Sequence, residues 1–120
     1  MSLRVVHAGL ATVCAAGAFA LIAAGVWAAY RREAQSVRLV LLVRRVTLLA
    51  AGLAVVAGAV SLVFGARPHQ PLHYLYAAFA LAAVPLATSL VARNPRRGGI
   101  YHAGAGALLL LMCFRLASTG

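Results

Sequence analysis

The chain has almost no negative charge. Glu33 is the only acid among 120 residues; there is no aspartate and no lysine, and all eleven basic residues are arginines. With one carboxylate there can be no acid–base pair of carboxylates, and internal salt bridges are nearly excluded. Most arginines must meet lipid phosphate, water, backbone carbonyls or a partner protein. Cysteine is also scarce. Cys14 and Cys113 lie far apart in apolar stretches, without a CxxC or Cys/His pair at metal-ligand spacing. They read as small buried side chains, and nothing local supports a disulfide. There is no glycine-rich phosphate loop after a strand and no Ser/His/Asp or Cys/His/Asn set. A catalytic role is not expected. Ion and proton pathways need ionisable groups at the membrane midplane; this chain has none there, which argues against transport.

Apolar residues are abundant. They make up 64% of the chain and charged ones 10%, against roughly half and a quarter in soluble domains. A single small core cannot hide that much apolar surface, so lipid must solvate much of it. A spanning helix needs about 20 mostly apolar residues. Spans are expected at about 5–30, 45–65, 72–91 and 100–117, which predicts one all-α domain over 1–120, an integral membrane four-helix bundle with short loops. The first apolar run is too long for a typical signal h-region, so a retained helix is expected. Residues 34–44, apolar but interrupted by arginines, either extend the second helix or lie on the membrane surface. Pro71 suits the first turn of the third helix, and Pro85 inside it predicts a kink.

The arginines set a direction. Arg31, Arg32, Arg38, Arg44, Arg45, Arg93, Arg96 and Arg97 flank the first and third connections, whereas Arg4, Arg67 and Arg115 lie on the other side. Eight against three predicts that the first and third connections are cytoplasmic and both termini face outward. The expected location is the inner (cytoplasmic) membrane of a bacterium, crossed several times. Arg38, Arg44, Arg45, Arg93, Arg96 and Arg97 are the candidates for lipid or partner contact. No soluble basic face with aromatic platforms is evident, so nucleic acid is not an expected partner. Trp27, Tyr30, Tyr74, Tyr76 and Tyr101 fall near predicted interfaces, as aromatic belts do.

Small residues recur every four positions at Ala16, Ala20, Ala24 and Ala28, at Ala50, Ala54 and Gly58, and around His102 at Gly98 and Gly106. Such ladders let helices approach closely. The histidines are the only conventional ligands. His7, His69 and His73 fall on the outer side, and His102 is expected at the inner interface. His7 and His73, from different helices, form the pair that a haem b would need. Arg115 would meet a haem propionate or a quinone headgroup.

The segments Pro71-Leu-His-Tyr-Leu-Tyr, Ala83-Val-Pro-Leu-Ala and Arg115-Leu-Ala-Ser-Thr-Gly resemble a group of small, mostly uncharacterised four-helix bacterial membrane proteins, some of them similar to small b-type cytochromes. An early histidine in those proteins corresponds to His7, and the resemblance groups His73, Pro85 and Arg115 in one design. Three functions follow as expectations. The first is a non-catalytic accessory subunit of a larger membrane complex, in respiratory or photosynthetic electron transfer, with larger integral membrane subunits and lipids as partners. The second is a small haem b or quinone-binding electron carrier. The third is a free-standing lipid-interacting regulatory protein built around Arg38 to Arg45.

Overall fold

A computed structural model describes residues 2–120. Four helices make up the fold: α1 (Leu3–Arg31), α2 (Ala34–Val63), α3 (Leu72–Arg93) and α4 (Gly98–Thr119), with one 3-10 turn, Pro95–Arg97, before α4. All four are long and apolar enough to cross a membrane, and the chain reads as a multi-pass membrane protein. The second helix begins earlier than its expected span. Residues 34–44 continue it as α-helix, since nothing there breaks a helix and arginine and leucine propagate one well. At 1.5 Å per residue the 30 residues of α2 extend about 45 Å. That exceeds a hydrocarbon core of about 30 Å, and Arg38, Arg44 and Arg45 all lie in its N-terminal half. α3 passes through Pro85 as one element.

The helices run up-down-up-down in a bundle of 48 × 26 × 19 Å. α1 packs extensively on α2 and on α4, and α3 packs on α4, while α2 and α3 meet only sparsely. One end carries both termini and the α2–α3 connection and is called the terminal end below. The other carries the α1–α2 and α3–α4 connections and is called the arginine end. The α1–α2 connection is very tight. Arg32 caps α1 in the left-handed region at φ 54°, and its amide donates to the Ala28 carbonyl.

Small residues are inside and large ones outside. The buried set is mostly alanine, with Leu21, Leu109, Val40 and Val84 as the larger members, whereas Phe19, Leu42, Leu49, Leu53 and Phe114 are exposed. That inversion suits a bundle held by backbone proximity rather than by water. The α1–α4 contact is closest. A β-carbon on Gly25 would lie 2.6 Å from the Gly99 carbonyl oxygen, and one on Gly106 would lie 2.7 Å from the Ala18 carbonyl oxygen. On the other side of α1, Gly17 makes room for Thr47 of α2, whose hydroxyl would be 2.5 Å from an added β-carbon.

Of the alanine ladder expected on α1 as a helix interface, internal or with another subunit, only the second half lies inside the bundle. Ala24 and Ala28 are buried, but Ala16 and Ala20 are exposed. Steps of four residues on a helix of 3.6 per turn rotate by about 40° each, so three steps carry the row about 120° around the helix. The buried row on α1 is Cys14, Ala18, Leu21, Ala24 and Ala28. On α4 the residues meeting α1 include Gly99, Ala103 and Gly106; Gly98 instead faces Val91 of α3.

The two classes of glycine give a direct test. Gly106→Leu or Gly99→Leu should lower stability by about 1–3 kcal/mol or more, because a side chain meets backbone that cannot yield. Gly9→Ala and Gly104→Ala, which face open space, should be neutral or stabilising by roughly 0.5–1 kcal/mol. Unfolding in mixed detergent, followed by helicity, separates the two.

Candidate functional site

Four histidines exist, and three of them gather at the terminal end. His7 projects from the second turn of α1 toward α2. Its Nδ1 lies 2.9 Å from the Ala54 carbonyl oxygen. A carbonyl only accepts, so Nδ1–H is the donor, and in the neutral ring the lone pair is on Nε2. The ring packs on Gly58, where a β-carbon would sit 3.1 Å from His7 Cε1. The row Ala50, Ala54 and Gly58 thus admits an imidazole as well as a helix.

His73 projects from the first turn of α3. The Thr119 hydroxyl on α4 donates to the Arg115 carbonyl at 2.9 Å, so it accepts from His73 Nδ1–H at 3.3 Å. His73 therefore also presents a bare Nε2. The centres of the two rings are 6.4 Å apart, with the planes tilted by 50°. Tyr74 packs edge-on against His73, with ring centres 6.5 Å apart. His69 donates from Nδ1 to the Gly120 backbone oxygen, and the Gln70 amide donates to the Thr119 carbonyl at 3.3 Å. Those two bonds tie the α2–α3 connection to the end of α4.

His7 and His73, expected together, are together. Arg115 reaches them through its main chain. Its carbonyl anchors Thr119, while its side chain is exposed and, among the described residues, makes no hydrogen bond. Thr119, 5% exposed, is the member the sequence did not reveal. Its bond to a carbonyl four residues back is legible from spacing, but nothing in the sequence sets it opposite His73. A groove of about 290 Å³ lined by Ser2, Arg4, Ser61, Phe64, Gly65 and Ala66 opens at this same end. Arg4 lies about one turn before His7, and Ser61 about one turn beyond Gly58.

An imidazole whose Nδ1–H is held by a carbonyl or hydroxyl, leaving Nε2 bare, is the arrangement found in metal-ligating histidines. Two metal–nitrogen bonds of about 2 Å each, plus half a ring on either side, come to roughly 6 Å between ring centres. Among the described residues no group of three His, Cys, Asp or Glu side chains converges. A bare ion would therefore have only two protein ligands, and a metal held here would need equatorial ligands of its own.

The arginine end is built differently. Arg38, Arg45, Arg93, Arg96 and Arg97 are exposed, and Arg44 donates to the Thr88 hydroxyl at 3.5 Å. Arg31 lies 4.9 Å over the Trp27 ring and 3.9 Å from Glu33. A groove of about 440 Å³ runs along Trp27, Glu33, Gln35, Ser36, Arg38, Leu39 and Leu42. His102 departs from expectation. It is 3% exposed, buried within the bundle rather than open to water or lipid. His102 donates from Nδ1 to the Gly98 carbonyl at 2.7 Å, and its Nε2, like the Ser36 hydroxyl, is buried without a partner.

Thr119→Val keeps the shape of the side chain and removes the acceptor for His73. Stability should fall by about 1 kcal/mol. The ¹⁵N resonances of His73 should shift toward a mixture of tautomers, while those of His7 stay fixed. Unchanged His73 resonances would show that Thr119 does not hold the ring.

No protein-family model matches this chain, and neither any curated protein nor any solved structure is detectably similar to it.

Proposed function

We propose that the protein is a non-catalytic subunit of the bacterial cytoplasmic membrane that packs against a larger integral membrane partner. In this reading both termini face outward, and the arginine end lies in the cytoplasm against anionic headgroups. One observation carries the reading. The face of α2 turned away from α1 exposes Leu39, Leu42, Val46, Leu49, Leu53, Val56, Val60 and Val63, spaced alternately by three and four residues. A 3–4 repeat sustained over 25 residues is the pattern of a helix–helix seam with left-handed winding. The experiment is purification from the native membrane in mild detergent. Co-migration with a larger membrane protein is expected, together with its loss when Leu42, Leu49, Leu53 and Val56 are replaced by alanine. Migration alone, or co-migration that survives the four replacements, would refute the seam.

A second reading is favoured by the His7–His73 pair. Two imidazoles with no third His, Cys, Asp or Glu converging on them among the described residues suit haem iron, which brings four equatorial nitrogens and needs two axial ligands. Arg4 and the free guanidinium of Arg115 would meet the propionates, or a quinone headgroup in the quinone version. The setting would be respiratory or photosynthetic electron transfer. Expression with adequate haem supply should give a Soret band with split low-spin bands that His7→Ala and His73→Ala each abolish. A colourless, stably folded protein would remove the haem version.

A further inference from the structure

Cys14 on α1 and Cys113 on α4 are 99 residues apart in sequence, yet their sulfurs lie 3.9 Å apart. Both are free thiols; Cys14 is buried at 5% exposure and Cys113 is partly exposed. The fold brings them together for a reason already given. Gly25 against Gly99, and Gly106 against Ala18, let the α1 and α4 backbones approach to a distance that any side chain would prevent. Cys14 lies one turn beyond Ala18, and Cys113 two turns beyond Gly106, on the same closely packed seam. Closing from 3.9 Å to a bond of about 2.05 Å brings the sulfurs about 2 Å nearer.

We propose that Cys14 and Cys113 form a dithiol–disulfide redox pair, oxidised from within the membrane by a lipid-soluble quinone. The unequal exposure orders the reaction. A small membrane-borne oxidant reaches the partly exposed Cys113, and Cys14, shielded behind it, is the resolving thiol. The step balances. Two S–H bonds break and one S–S bond forms, and the two electrons and two protons released convert one quinone to one hydroquinone. The bond ties α1 to α4, the two helices on which α2 and α3 pack, so oxidation closes nearly the whole chain into one covalent ring. This pair is independent of the histidine cluster and of any helix partner on α2.

The test uses the full chain, reduced and reconstituted in lipid nanodiscs, with decylubiquinone as the probe. Maleimide labelling after denaturation should count two thiols before exposure to the quinone and none after. One equivalent of quinol should appear per chain, and the intact mass should fall by two hydrogens. Cys14→Ser and Cys113→Ser should each retain one labelled thiol and produce quinol at least tenfold more slowly. Gly106→Leu, which forces α4 away from Ala18, should slow oxidation of the unaltered pair by a similar factor. Two thiols still labelled in the unaltered protein would overturn the proposal, as would cross-linked dimers in place of an intrachain bond. The thiol count and mass need no variant, so a serine protein that fails to fold leaves the proposal testable.

Discussion

The structure depends on how closely α1 and α4 approach. Where Gly25 meets Gly99 and Gly106 meets Ala18, main chain touches main chain with no side chain between. In lipid there is little hydrophobic gain from helix association, so contact area and dispersion must hold the bundle, and small residues maximise both. The outer helices follow from this pair. α2 lies on α1 with Thr47 seated over Gly17, and α3 lies along α4 with Val91 against Gly98. α2 and α3 themselves barely meet, which leaves one seam of the bundle loosely closed.

The same approach governs the polar groups. A bundle with one acid must satisfy its hydrogen-bonding side chains from main chain and hydroxyls, and it does so in local chains. His7 uses the Ala54 carbonyl, and His73 uses Thr119, which in turn uses Arg115. Each such bond holds a ring in one orientation, with Nδ1–H turned to its acceptor. At the arginine end cations gather around exposed turns, and two buried atoms, His102 Nε2 and Ser36 Oγ, stay unpartnered. The two ends of one short bundle are therefore chemically distinct: three of the four histidines lie at one, and eight of the eleven arginines flank the other.

Much of this was legible from composition and spacing. Four apolar runs gave four helices, because length and hydropathy decide crossing competence without reference to neighbours. The terminal placement of His7 and His73 followed from helix direction alone, since alternate helices return to the same end. Their approach to 6.4 Å did not follow, because rotation of each helix about its axis depends on packing. Which stripe of α1 turns inward did not follow either, for the same reason. Steps of four look like a stripe in sequence but spiral around the helix, and the buried row is the one that keeps to 3.6. Residues 34–44 were undecided because arginines among leucines suit both an extended helix and an interfacial one.

The sequence by itself determined that the chain is all-helical, that lipid is its main solvent, and that arginine is concentrated at one end. These are sums over residues, additive along the chain. Only the tertiary structure decided which side chains meet. It set Thr119 behind His73, buried His102, and brought Cys14 to Cys113 across 99 positions. Those outcomes depend on where glycine lets two particular backbones touch, and such a contact belongs to a pair of helices rather than to either one.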